Sequence, residues 1–449
     1  MSKIVDAVTA VLICDGELLI TRRQPFMRSF PGYDSFPGGK VDAEDADGSA
    51  LPAAWSGIEP RLARALLREI REEVALDLTA APHLVSSVRA IGIALTPPPA
   101  PMRFNTHFYV VELTERPELK ADPSEVDTVA WGSPAEWVNR YSRGELLIAP
   151  PTIAVLHELA RNPQTTDVPG LHFEARTQYE LPVIESTIGV RQILVRSHTL
   201  PPAHHTNCYL LGDSQSHRVL VDPSPSSDEE MDKLICVVER FGIHEIFLTH
   251  HHPDHHERSN RIARHFGVPM GMSEDTHHRI CLKKGNDYFD NIPVHHYQEG
   301  DVLCRWLGLP LQVLEVPGHD QGQLALMPAD RAWCLVGDLI QGLGTVVIAK
   351  PEGHMGRYFA SLQKIIALDP RAIYPSHGMG LGGCYRLSET LLHRQQREQQ
   401  VLTMHREGQD IAQMLARIYS DVDPRLLPLA QMNIESHMDK LREEGLIAA

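Results

Sequence analysis

The chain has 449 residues, room for about three domains by the usual length rule, and its 43% hydrophobic content supplies ordinary cores. Forty-two basic residues against 58 acidic ones leave a formal net charge of −16, which repels a polyanion at long range and argues against nucleic acid as a partner. The apolar runs are too short to span a bilayer and the N-terminus lacks the pattern of a secretory signal. The seven cysteines, odd in number and without a Cys-x-x-Cys pair, suggest neither a disulfide framework nor a thiolate zinc site. A cytoplasmic protein acting on small molecules, away from membranes, is the expectation.

Ile4 to Ile13 reads as a β-rich apolar segment, Asp15-Gly16 as a hairpin turn, and Glu17 to Arg23 as the returning strand. Phe36-Pro37-Gly38-Gly39-Lys40 follows, with Glu44 close behind. Arg61 to Leu76 predicts a helix with Leu62, Ala65, Leu66, Ile70 and Val74 on one side. At 100° per residue, Glu69, Glu72 and Glu73 share one arc of about 100°. Three carboxylates held there repel one another unless a cation lies among them, the alternative being a plain solvated acidic face.

The glycine pair, Glu44 and the run Arg68-Glu69-Ile70-Arg71-Glu72-Glu73 resemble the Nudix box. Gly38 and Glu44 match its first spacing. Arg68 follows Glu44 by 24 positions where the box has 8, an insertion of 16 placed between Asp45 and Pro60, and Ala75 stands where the box has Gly. The resemblance implies that Glu72 and Glu73 bind Mg²⁺ or Mn²⁺ and that Glu69 shares the metal or activates water. It also implies that Arg68 pairs with Glu44, and it assigns Gly38, Gly39 and Arg23 to substrate binding. The implied reaction is hydrolysis of a nucleoside diphosphate linked to another group. Leu146 to Thr152 and the helix from Ile153 to Arg161 resemble the close of the branch that contains coenzyme A diphosphatases, which extends the implied substrates to coenzyme A derivatives.

Residues 162–188, opening on the turn-rich Asn162 to Gly170, read as a linker. Beyond it come short strands, Ile193-Leu194-Val195, Cys208 to Leu211 and Val219 to Asp222, then a helix from Glu229 to Phe241. The buried-strand pattern Ile246-Phe247-Leu248 then ends at Thr249-His250-His251-His252-Pro253-Asp254-His255-His256. So many imidazoles and a carboxylate at a strand end are costly to bury unless a metal satisfies them together. Three more apolar runs close on a Gly and a ligand-type residue: Pro317-Gly318-His319-Asp320, Val336-Gly337-Asp338 and Ser376-His377-Gly378.

Four such endings in this order resemble the metallo-β-lactamase superfamily. The resemblance implies one metal at His250, His252 and His319, a second at Asp254, His255 and His377, and Asp338 bridging, with Asp254 and Asp338 catalytic beside Glu69 and Arg68 of the first domain. Two Zn²⁺ are the implied ions, with Fe or Mn open to the same ligands. Asp at the bridging position, where β-lactamases of the family often carry Cys, argues against an antibiotic-degrading role. The pairs His204-His205, His277-His278 and His295-His296 read as surface or rim residues. After His377 the chain turns helical, from Ser388 to His405, then behind an Asp410 N-cap, then to a last helix ending near Gly445. This resembles the winged-helix-like tail of the branch with endoribonuclease-like and thioesterase-like members, and its acidic balance favours a packing or homodimer-forming cap over a nucleic-acid reader.

The expected fold is therefore a multidomain α+β and α/β chain: a Nudix α/β/α sandwich over 1–161, the linker over 162–188, a metallo-β-lactamase αββα sandwich over 189–385 and a helical winged-helix-like tail over 386–449. The expected function is that of a bifunctional metal-dependent hydrolase, cleaving diphosphates in one domain and acyl thioesters in the other. An RNA-cleaving nuclease and a glyoxalase II-like hydrolase are the alternatives for the second domain.

Overall fold

The computed structural model describes residues 4–46, 48, 50–96, 103–172, 180–213, 215–342 and 344–448. Residues 1–191 and 192–449 form two compact units. In the first, the strand Ile4–Cys14 is central. It pairs antiparallel with Glu17–Arg23 and with Gly38–Lys40, and parallel with Arg103–Leu113, which in turn pairs antiparallel with Val85–Leu95. Because side chains alternate across a strand, its residues divide between two cores. Val8, Ala10, Leu12 and Cys14 pack with Leu62, Leu66, Ile70 and Val74 of the helix Pro60–Val74. Val11 faces the other way, into a core with Trp137, Ile153, Leu156 and Leu159 from the helices Pro134–Ser142 and Pro150–Arg161. The result is the expected α/β/α sandwich.

The helix predicted to reach Leu76 stops at Val74. Ala75 caps it in the left-handed conformation at φ 56°, so this position does call for the glycine that the box carries. A Cβ there costs about 1 kcal/mol. Ala75→Gly is therefore expected to stabilise this unit by about 0.5 kcal/mol after the added freedom of the unfolded chain is counted, seen as a small upward shift of its melting transition. A downward shift would show that the helix end tolerates the alanine without strain.

The segment expected as a linker is partly built into the first unit. Val168 and Leu171 are buried in its second core, Val168 N donates to Ile91 O (2.9 Å), and Arg89 binds the carbonyls of Pro163 and Thr165. Val183–Thr187 is a strand, with Ile148 N donating to Ser186 O (2.8 Å). Polar, turn-rich composition suggested a free connection because two apolar anchors, Val168 and Leu171, set among Pro, Gly and polar residues, are too few to show a period. The division between units falls inside the strand Val190–Arg196.

In the second unit one sheet runs from Val294–His296 through Met270–Met272, Glu245–Phe247, Val219–Val221 and His205–Leu211 to Val190–Arg196. Its first four strands are parallel, and the helices Asp228–Glu239, Ser259–Phe266 and Glu274–Lys284 lie between them in sequence, as parallel pairing requires. The second sheet runs Val302–Trp306, Leu309–Glu315, Leu324–Pro328, Cys334–Gly337, Ala372–Pro375 and Leu381–Gly382. The helix Met355–Leu368 covers it through Tyr358, Leu362 and Ile365. The tail, the helices Tyr385–Arg406, Ile411–Ile418 and Leu427–Glu443, belongs to this unit and has its own core around Val401, Met414, Ile434 and Leu441. Asp410 caps the middle helix in a full capping box with Gln413. Among the described residues no helix is long and apolar enough to cross a membrane.

Candidate metal centre and carboxylate site

Each residue of the histidine pattern stands just past the end of a strand, so the sheet edge brings together positions far apart in sequence. The loop after Glu245–Phe247 carries His250 and His252, and Pro253–His256 forms a single helical turn that turns Asp254 and His255 inward. His319 follows Leu309–Glu315, Asp338 follows Cys334–Gly337, and His377 follows Ala372–Pro375. His252 Nδ1 lies 3.0 Å from both His250 Nε2 and His319 Nε2. On the other side His377 Nε2 is 3.4 Å from Asp254 and His255 Nε2 is 3.8 Å from it. Asp338 stands between, with Oδ2 3.7 Å from His319 and Oδ1 3.5 and 3.8 Å from His377 and His255.

Outer hydrogen bonds fix which ring nitrogen faces inward. His319 Nδ1 donates to the Val347 carbonyl (2.8 Å), His377 Nδ1 to the His205 carbonyl (2.9 Å) and His255 Nδ1 to Asp222 (2.9 Å). Thr249 Oγ1 donates to Asp222 (2.6 Å) and accepts from His250 Nδ1 (3.0 Å). Each of these four rings thereby presents its Nε2 to the centre; at His255 and His377 burial is outweighed by the carboxylates of Asp254 and Asp338, which raise both rings, His377 to about 10, so there a cation would take the place of a proton. Burial pushes His252 down to about 3 and His250 well below the ordinary range, which keeps both neutral and able to ligate. His255 Nε2, His377 Nε2 and Asp338 Oδ1 are buried without a hydrogen-bond partner. Lone pairs 3 Å apart and orphaned polar atoms facing one another are what a pair of bound cations would satisfy, so the donor set fits two metal ions. The ligand groups His250-His252-His319, His250-His255-Asp338 and Asp254-His255-His377 are each compact enough to hold an ion.

His251, between His250 and His252, is not aimed at this centre: it is fully buried, its Nδ1 faces Asp320 Oδ2, and its Nε2 accepts from Lys283 Nζ (2.9 Å). Gly322 N also donates to Asp320 (2.8 Å). Burial pushes the Asp320 carboxyl up, but the His251 contacts prevail and hold it below its ordinary range.

In the first unit the structure corrects one expected pairing. Arg68 does not meet Glu44, which is exposed; it grips Asp45, Nε to Oδ1 and Nη2 to Oδ2 at 3.0 Å each. The inserted loop starts as a 3₁₀ turn over Ala43–Ala46, and Asp45, 4% exposed, caps the Asp42 N–H from inside it. Arg68 further binds the Lys40 carbonyl (2.8 Å), Glu69 (2.8 Å) and Glu72 (3.0 Å). Glu69 and Glu73 are buried, whereas Glu72 is half-exposed. Burial lifts the Glu69 carboxyl to about 6 and that of Glu73 to about 8, with the charge of Glu125 adding to both. Arg23 Nη1 stands 3.6 Å from Glu73, whose Oε2 is buried without a hydrogen-bond partner. A cation would relieve this crowding, so these residues too fit a metal.

The glycine pair is required by close approach: a Cβ on Gly38 would lie 2.2 Å from Val8 O, and one on Gly39 2.5 Å from Glu69 Oε1. Gly39→Ala is therefore expected to displace Glu69 and lower activity at this site by about a hundredfold, measured as kcat on a diphosphate substrate. Unchanged kcat would mean that Glu69 has room to move.

Sequence reasoning missed Asp222, Thr249 and Glu125. Asp222 had a signal, since Val219-Leu220-Val221-Asp222 is one more apolar run closed by a ligand-type residue. Glu125, in a polar turn outside any period, had none.

A sheet-edge histidine cluster and a helix-borne carboxylate cluster of this kind point to hydrolase families. Residues 3–146 match the NUDIX domain, 201–377 the metallo-beta-lactamase superfamily and 411–449 the beta-lactamase associated winged helix domain, so the chain has the architecture of a fusion of these three domains. It is 28% identical over 281 residues to a beta-lactamase-like protein 2 homolog of Drosophila melanogaster, covering 59% of this chain and 91% of the relative. To a hydroxyacylglutathione hydrolase of Aeromonas hydrophila it is 31% identical over 180 residues, covering 39% of this chain and 63% of the relative. A beta-lactamase domain protein from Burkholderia ambifaria, 21% identical, shares the fold at a TM-score of 0.50 over 61% of this chain and 95% of that one.

Proposed function

We propose that the protein is a bifunctional metal-dependent hydrolase, with a dinuclear site in the second unit that hydrolyses acyl thioesters and a Mg²⁺- or Mn²⁺-dependent site in the first that hydrolyses a substituted nucleoside diphosphate, coenzyme A derivatives included. The observation that carries the dinuclear reading is Asp338, whose two oxygens face separate ligand sets. Zn²⁺, Fe or Mn at such a site lowers the pKa of water toward neutrality and polarises a carbonyl or phosphoryl oxygen.

The leaving group separates the candidate substrates of the second unit. In thioester hydrolysis water adds to the acyl carbon, the C–O bond forms, the C–S bond breaks, and the sulfur leaves as a thiolate that later takes a proton. A thiol of pKa near 8.5 leaves with little help. A ribose alkoxide needs a proton donor. Asp320, the acid nearest His319 in sequence, is held ionised by His251 and Gly322 and is not free to serve. The substrate in the Aeromonas relative's name is an acyl ester of a thiol, the same class of bond. Seven free cysteines accord with a reducing, cytoplasmic setting.

In the first unit Arg68 holds Glu69 and Glu72 together and ties them to the Gly38–Lys40 strand, and Arg23 faces the same carboxylates. That arrangement suits a diphosphate, whose oxygens complete the shell of a weakly held Mg²⁺. Thiol release from a panel of acyl-coenzyme A and acyl-pantetheine esters, lost in Asp338→Ala and kept in Glu72→Gln, is the expected result. Cleavage of single-stranded RNA with no thiol release would overturn the thioester reading.

A further inference from the structure

The C-terminal helix reaches the metal centre through one strap of chain. His319 is oriented by the Val347 carbonyl (2.8 Å), and the residues on either side of Val347 are held by the tail. Ile348 N donates to Asn433 Oδ1 (3.0 Å), Ser436 Oγ donates to the Ile348 carbonyl (2.5 Å), and Arg394 Nη2 donates to the Val346 carbonyl. Asn433, Ser436 and Arg394 are 6%, 5% and 2% exposed, so these hydrogen bonds have no water to replace them. Further along, Lys350 pairs with Asp439 (2.6 Å) and His354 with Glu443 (3.2 Å). Asn433, Ser436, Asp439 and Glu443 follow one another at spacings of three, three and four, so one face of the helix Leu427–Glu443 runs along the whole strap. The far end of the strap returns to the same ligand turn, where His354 N donates to the Gly318 carbonyl (2.8 Å).

We infer that Asn433 and Ser436 are positioning residues of the first metal site, and that the tail is a working part of that site because it fixes the carbonyl that orients His319. Resting on the dinuclear reading above, the inference adds a role for the tail. The second ligand set, Asp254, His255 and His377, is oriented instead by Asp222 and the His205 carbonyl and has no such link to the tail among the described residues.

The test is cobalt titration of the full-length, metal-depleted protein, followed by its visible absorption and by competition with a chelator. In Asn433→Leu combined with Ser436→Ala, one of two cobalt ions is expected to bind about tenfold more weakly, the magnitude that outer ligand partners carry, with the other unchanged. Asn433→Asp keeps the acceptor and is expected to restore the wild-type spectrum. Met414→Ala, in the tail core but away from the strap, is expected to lower the melting temperature without altering cobalt affinity, which separates positioning from mere stability. If the double variant does not fold, Ser436→Ala alone carries the same test. Wild-type affinity for both ions in the folded strap variants, or an equal loss in Met414→Ala, would overturn the inference. A wild type that takes up no cobalt would overturn the dinuclear reading itself, and this inference with it.

Discussion

Asp338→Ala is expected to remove nearly all hydrolysis by the second unit, at least about a thousandfold in kcat/KM, and to lower the metal retained after dialysis from about two ions per chain. The reason is geometric. Asp338 faces both ligand sets, Oδ2 toward His319 and Oδ1 toward His377 and His255. Without it the two ligand sets lose the anion that joins them, and two cations close together would lose the charge that offsets their repulsion. Asp254→Asn, by contrast, touches one set only and is expected to reduce the count by about one. Elemental analysis of the dialysed proteins decides both, and an unchanged count in Asp338→Ala would remove it from the site. The protein is expected to stay folded, because a buried, unpaired carboxylate oxygen is being replaced by a smaller apolar group.

Glu72→Gln is expected to lower diphosphate hydrolysis by about a hundredfold or more while leaving thiol release unchanged, and His252→Ala to do the reverse. Glu72 is half-exposed, so the change from carboxylate to amide removes charge without opening a cavity, and a loss of activity reads on chemistry. The two clusters belong to separate compact units, and effects in separate cores add independently. Loss of both activities from either change, with both units folded, would show one composite site. Adding Mg²⁺ back to Glu72→Gln at high concentration is expected to recover part of the diphosphate activity, since the remaining carboxylates Glu69 and Glu73 still face the site.

The residues of the histidine cluster were legible because each announces itself locally: an apolar run, a turn and a residue with a lone pair. The apolar run Ile4 to Ile13 was likewise legible as a strand, and the structure divides its residues between two cores. The partner of Arg68 was not legible. Glu44 and Asp45 are neighbours of like charge, and the choice between them depends on how a loop of 16 inserted residues folds back, which spacing alone does not encode. The same holds for Glu125, whose charge acts on Glu69 and Glu73 from a turn distant in sequence, and for Val347, whose contribution is a backbone carbonyl that any residue would supply.

By itself, then, the sequence determined which residues can bind metal and which segments must bury a face, because ligand chemistry and hydrophobic period are properties of side chains read in order. Only the tertiary structure decided the imidazole nitrogens that face the centre, the carboxylate that holds Arg68, and the docking of the tail on the strap beside His319. These depend on hydrogen-bond partners brought together across hundreds of residues, where the geometry of packed elements chooses among chemically equivalent candidates.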